Sequence, residues 1–134
     1  MSPRPLPLVQ AAIAVIERRG HFLVSRRKAA AHVGRRWEFP GGKRRVGESW
    51  HACLRRELRE EMGLEIRITG RMHPIHFRYP DRQVRLEAFR CTIARGVPRS
   101  RENQPVRWMT LAQLRRVRIP AANHALIDAL QSGC

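Results

Sequence analysis

The chain has 134 residues, 27 Lys+Arg against 11 Asp+Glu, and a formal charge of +16. This length suits one domain, residues 1–134, which can bury a core without disulfide staples, and 43% hydrophobic residues is ordinary for a globular protein. No apolar run reaches the ~18 residues of a membrane span, and Met1-Ser2-Pro3-Arg4-Pro5 lacks the apolar core of a signal peptide, so a cytoplasmic protein with no membrane partner is expected.

Leu8 to Ile16 is apolar and rich in β-branched residues, which predicts a buried strand. Arg18-Arg19-Gly20 turns the chain, and His21 to Ser25 reads as the hairpin partner. Arg26 to Arg36 is a polar loop. Trp37 to Phe39 is a short extended piece, stopped by Pro40-Gly41-Gly42. A helix follows. Ser49 is placed to cap it, Gly63 to end it in the left-handed conformation, and Leu54, Leu58 and Met62 form its apolar stripe. Glu65 to Met72, Ile75 to Tyr79 and Arg82 to Ile93 read as strands, with a turn at Pro80-Asp81. In the last of them Val84, Leu86 and Ala88 alternate with Gln83, Arg85 and Glu87. Arg95 to Asn103 is a loop and Pro105 to Met109 a short strand. Thr110 caps a short helix to Arg115, and Pro120 precedes a final helix from about Ala122 to Leu130. The order predicts an α+β fold, a mixed β-sheet sandwiched between helices, with no second domain.

Cys53, Cys91 and Cys134 fit neither a disulfide framework nor a zinc site; two read as small semi-buried side chains and the third as a terminal thiol. Only Lys28 and Lys43 are lysines, so 27 cations less these two leaves 25 arginines. Such a surface attracts polyanions. The arginines lie in every part of the chain, however, and an arginine-rich codon bias produces the same pattern.

Against this background Glu48, Glu57, Glu60 and Glu61 fall within fourteen residues. At helical spacing the last three share one arc and repel one another, and the final two sit where the helix dipole disfavours anions. Arg55, Arg56 and Arg59 offer screening, which leaves a solvated charged face as one reading. The other is a metal site: clustered carboxylates suit Mg2+ or Mn2+, and Gly41-Gly42 lets backbone approach a ligand closely.

Gly42, five residues, Glu48, seven residues, then Arg56-Glu57-Leu58-Arg59-Glu60-Glu61-Met62-Gly63-Leu64 matches the Nudix box at each of its nine defined positions over 23 residues. The chain therefore resembles the Nudix hydrolases. The stretches RRKAAAHVGRRWEFPGGK, FRYPDRQVRLEAF, ENQPVRWM and IPAANHALI resemble the MutT-like branch, hydrolases of oxidised guanine nucleotides. The resemblance implies an α/β/α Nudix fold and a monomer. It also implies a Mg2+- or Mn2+-dependent conversion of 8-oxo-dGTP to 8-oxo-dGMP and pyrophosphate, which cleans the nucleotide pool.

By the same resemblance Glu57, Glu60 and Glu61 are metal ligands, helped by the Gly42 carbonyl and by Glu102. Arg56 orients a catalytic carboxylate and Glu48 supports the loop-helix junction. The proton acceptor is Glu57 or Glu102; the sequence does not choose. Asn123 matches a reader of the guanine edge, although an Asn there also suits a helix cap. Arg27, His32, Phe39, Asp81 and Arg82 match positions near the nucleotide, although Phe39 taken alone is better suited to the core. His32 has no partner at metal-ligand spacing. Trp37 and Trp108 read as core or pocket wall, and Trp50 as surface packing. Many members of the family carry an acid where this chain has Arg45, so Lys43-Arg44-Arg45 makes a positive edge beside the acids. The competing expectations are another nucleotide substrate (dCTP, a dinucleoside polyphosphate or a 5′-triphosphate RNA end) and a basic Nudix module that binds nucleic acid.

Overall fold

The computed structural model describes residues 5–26, 36–99 and 104–133. Its elements are strands β1 (Leu8–Arg18), β2 (His21–Arg26), β3 (Trp37–Glu38) and β4 (Gly41–Lys43), helix α1 (Trp50–Met62), strands β5 (Glu65–Arg71), β6 (Ile75–Arg78), β7 (Gln83–Arg95) and β8 (Val106–Met109), and helices α2 (Leu111–Leu114) and α3 (Ala121–Gln131). The strand order is β3-β2-β1-β7-β5, with β4 paired to β1, β6 to β7 and β8 to β2. The β1–β7 pair is parallel and the others are antiparallel, so the sheet is mixed as expected.

Helices cover both faces of the central pair. Ala12 to Ile16 are therefore buried without a break, the pattern of a strand covered on two sides. One core cluster joins Ile13, Val15, Val84, Leu86 and Ala88 to Leu126 and Ile127 of α3. The other joins Ala12, Ala14, Ile16, Phe89 and Cys91 to Leu54, Leu58 and Met62 of α1. Leu58 is fully buried, so Leu58→Ala should cost about 2–5 kcal/mol. Helix α1 begins and ends where its sequence says. The Ser49 side chain accepts from the Ala52 N–H at 3.1 Å, and Gly63 adopts φ 65°, ψ 28°.

Three expectations need correcting. Pro40-Gly41-Gly42 does not simply stop a strand; Gly41–Lys43 is itself the strand β4, paired with Ala11 to Ile13. The glycines belong there because of what lies against them. A Cβ on Gly41, which has φ 150°, would stand 2.0 Å from the Ala12 carbonyl oxygen, and one on Gly42 would stand 2.3 Å from the Glu57 carboxyl carbon. The polar half of the alternation read in β7 is not all solvent-facing either: Glu87 is fully buried, on the side where Phe89 and Ala12 pack against α1. Cys53 and Cys91 are fully rather than partly buried, and burial raises their thiols to about 11 and about 12. Cys134 lies outside the described residues.

Candidate metal and nucleotide site

The acids of α1 meet β4 across a glycine gap. The Glu57 carboxylate lies over Gly42, in the space a side chain there would fill, and Glu61 Oε2 accepts from the Gly41 N–H at 3.0 Å. Between them Arg56 gathers the rest. Its Nε and Nη2 donate to the two Glu48 oxygens at 2.7 and 2.9 Å, and its Nη1 to Glu57 at 2.8 Å and Glu60 at 3.3 Å. Nη2 also donates to the Lys43 carbonyl at 3.1 Å, so one guanidinium ties α1 to β4 and to the intervening loop. The Arg56 pair, with help from the Arg45 N–H, holds the Glu48 carboxyl at about 2, well below its ordinary range. Glu48 in return raises the guanidinium further above its usual value.

Among the described residues no three His, Cys, Asp or Glu side chains stand grouped to hold a metal ion. Instead, Glu57 and Glu60 are turned toward Arg56, and Glu61 toward the Gly41 N–H. The donor set still fits a hard divalent cation. It is all oxygen, its negative groups outnumber the guanidinium they share, and Glu60 is half exposed on a rotatable side chain. The Gly42 carbonyl accepts the Cys53 thiol proton at 3.6 Å. Arg45 lies at the rim, 3.8 Å from Glu60 and largely exposed.

The opposite face carries the second group. Asn123 is 6% exposed and its Oδ1 has no hydrogen-bond partner among the described residues. It is not the cap of α3. Pro120 holds that position without a side-chain bond, and Asn123 stands in the first turn, its N–H donating to the Pro120 carbonyl at 2.9 Å. The Ala122 N–H donates to the Tyr79 hydroxyl at 3.1 Å, Arg82 lies over the Tyr79 ring at 4.2 Å, and Arg82 pairs with Asp81 at 2.9 Å. The structure thus brings Asp81 and Arg82 to the helix end that carries Asn123. Phe39 is buried in the α3-side core, edge-on to Phe22 at 6.3 Å. Arg27, His32 and Glu102 lie outside the described residues.

The contacts of four residues here are not legible in the sequence. Tyr79 was legible only as the end of a strand. Cys53 sits in the stripe of α1 but faces the Gly42 carbonyl. Gln10 and Arg44 bond across the sheet edge through the Arg44 Nε at 3.0 Å, a contact no spacing announces. A separate cleft of about 630 Å³, lined by Met72, Ile75, Arg90 and Leu126 among others, includes none of the residues named for the site.

Comparison with known proteins gives one family description, a NUDIX domain matched over residues 11–129. The chain is 32% identical over 124 residues to the 8-oxo-dGTP diphosphatase of Escherichia coli K12, covering 92% of this chain and 96% of that protein. It is 28% identical over 127 residues to the CTP pyrophosphohydrolase of the same strain, covering 95% and 94%. The solution structure of the Escherichia coli ORF135 protein superposes with a TM-score of 0.80 at 27% identity, covering 95% of this chain and 91% of that one.

Proposed function

This chain belongs to the Nudix family and is a Nudix hydrolase; from that premise we propose that it hydrolyses 8-oxo-dGTP to 8-oxo-dGMP and pyrophosphate, with Mg2+ or Mn2+ bound. Glu57, Glu60 and Glu61 with the Gly42 carbonyl, and Glu102 from the late loop, are the residues that would hold the ion. It would supply charge to offset the negative charge spread over the phosphoryl oxygens. Around it, Arg56 orients Glu57 and binds Glu48, and so fixes the helix against the loop. Glu57 or Glu102 accepts a proton from the attacking water. By resemblance Arg27 and His32, which lie outside the described residues, would serve the nucleotide; Arg45 at the rim would meet its phosphates, and Phe39, buried against Phe22, would support the pocket from within the core. The working setting is cytoplasmic, as a monomer, where the reaction removes a mutagenic precursor before DNA replication. Among the described residues no helix is long and apolar enough to cross a membrane.

The observation that supports the base assignment is the unpaired Asn123 Oδ1. A buried acceptor without a donor costs about 1–3 kcal/mol, and a guanine edge, rich in N–H donors, repays it. The turn at Asp81-Arg82, tied to the same helix end through Tyr79, would border the base. One relative favours a second reading, hydrolysis of CTP. A turnover screen with Mg2+ over 8-oxo-dGTP, dGTP, CTP and dCTP decides between them. We expect 8-oxo-dGTP to lead dGTP by at least about tenfold in kcat/KM, the factor that ~1.4 kcal/mol supplies. A lead for either cytidine nucleotide overturns the substrate and leaves the hydrolase.

A further inference from the structure

Glu87 has no part in the site described above, yet it is a carboxylate 0% exposed in the middle of the sheet. A buried charge of this kind is costly unless it is paired, and removing one partner leaves the other uncompensated. Here the pairing is with two arginines. Arg71 Nη2 and Arg85 Nη2 both donate to Glu87 Oε1, at 2.6 and 2.9 Å, while Glu87 Oε2 and Arg85 Nε find no partner among the described residues. The position matters more than the pairing. Across β1, Ala12 is in register with Glu87 on one side and with Gly42 on the other. Glu87 and the glycine beneath Glu57 therefore lie in one row of the sheet, under the same helix.

From Glu87 a chain of contacts runs to the carboxylates. Arg85 lies 5.8 Å from the Trp50 ring centroid, and Arg44 lies over the same ring at 4.9 Å. Arg44 reaches Gln10, the register partner of Arg85, through its Nε at 3.0 Å and through its Nη2. Its Nη1 donates to the Glu48 carbonyl at 3.0 Å. Glu48 then takes both arms of Arg56. The loop so held is fastened at its two ends, the Arg44 N–H donating to the Gln10 carbonyl at 2.8 Å and the Glu48 N–H to the Arg45 carbonyl at 3.1 Å, while Val46 is fully exposed and Arg45 and Gly47 are exposed beside it.

We infer that Glu87 is a positioning residue for the carboxylates of α1, acting through Arg85, Trp50 and Arg44 on the loop that carries Glu48. The inference rests on the proposed reading of those carboxylates as metal ligands. Its logic is electrostatic. With Glu87 neutral, Arg85 loses its buried counter-charge and turns toward solvent. Trp50 then loses one of its two cations, and Arg44 loses its fixed ring. Glu48 and Arg56 are left to drift together.

The test is Mn2+ binding by electron paramagnetic resonance, which needs no turnover, alongside steady-state kinetics. Wild type should bind Mn2+ and Glu57→Gln should lose that binding. Glu87→Gln should weaken Mn2+ binding about tenfold, the lower end of the effect of residues that hold metal ligands in place, and lower kcat at limiting metal without raising KM. Trp50→Leu perturbs the same ladder at its half-buried middle without stranding a buried charge, and covers the case in which Glu87→Gln does not fold. It should weaken Mn2+ binding in the same direction. The double variant should be no worse than the more severe single one. Wild-type Mn2+ affinity in Glu87→Gln and Trp50→Leu, with only a lower Tm, overturns the inference and leaves the metal site standing. Unchanged Mn2+ binding in Glu57→Gln overturns the metal site and the inference with it.

Discussion

On the α1 face of the sheet a single guanidinium, that of Arg56, answers Glu48, Glu57 and Glu60. On the α3 face the Oδ1 of Asn123 is answered by nothing among the described residues. If both are ligand sites, as proposed, the two regions are prepared in opposite ways. The carboxylates are kept together by a cation of the protein's own, so a metal ion would enter by sharing or displacing bonds already made. The amide oxygen is desolvated and unpaired among the described residues, so on the proposed reading a ligand with an N–H would meet no competitor from them. The first arrangement preserves geometry and the second stores selectivity.

The sharpest way to break this contrast is to remove the charge on one side only. Glu57→Gln and Glu61→Gln should each lower turnover by at least about a thousandfold, some 4 kcal/mol of transition-state stabilisation, in a protein that still folds. Without metal their Tm should not fall, because each relieves repulsion along α1. Near-normal turnover in both would remove the α1 acids from the chemistry.

Arg56→Met takes away the cation instead. The carboxylates then face one another unscreened, and the tie to Lys43 is lost. We expect Tm without metal to drop by about 5 °C, the shift of ~1–2 kcal/mol at this chain length. Added Mn2+ should restore part of it by binding the freed acids. A Tm equal to wild type in a chelating buffer would mean that Arg56 does not organise the cluster.

Asn123→Ala addresses the other face. It should raise KM for 8-oxo-dGTP about tenfold and leave kcat nearly unchanged. Removing an unpaired buried amide should leave Tm unchanged or raise it slightly. A large loss of Tm would show the amide to be a structural bond.

The smallest effect is one of pH. The Glu48 carboxyl sits at about 2, below its ordinary 4.5, chiefly because of the Arg56 pair. A depressed carboxyl contributes stability that is fully present above its unfolded value and is lost as pH falls through its folded one. The stability difference between wild type and Glu48→Gln, measured by denaturant titration, should therefore be constant above about pH 5 and shrink between there and about pH 2. A difference that vanishes on the alkaline side instead would contradict the pairing.

Much of the α1 side was legible because its rules are local. Ser49, Gly63 and the stripe of Leu54, Leu58 and Met62 are read from spacing alone, and so was the crowding of Glu57, Glu60 and Glu61. What escaped is what depends on a neighbouring strand. Gly41 and Gly42 read as a stop because their reason, the Ala12 carbonyl and the Glu57 carboxylate, comes from elsewhere in the chain. Glu87 read as one side of an alternation because nothing in its own strand says that α1 covers it. Asn123 was open between cap and reader, and its place in the first turn of α3, beyond a proline cap, excludes the cap. Arg27, His32 and Glu102 lie outside the described residues and rest on resemblance.

The division of labour between the two faces is tested most directly by measuring kcat and KM for 8-oxo-dGTP and dGTP, with saturating Mg2+, in wild type, Glu57→Gln and Asn123→Ala. Glu57→Gln should collapse kcat for both nucleotides and keep their ratio of kcat/KM. Asn123→Ala should keep kcat and bring that ratio toward one. If either variant instead changes rate and ratio together, or if wild type does not prefer 8-oxo-dGTP, the two faces do not divide chemistry from recognition as described.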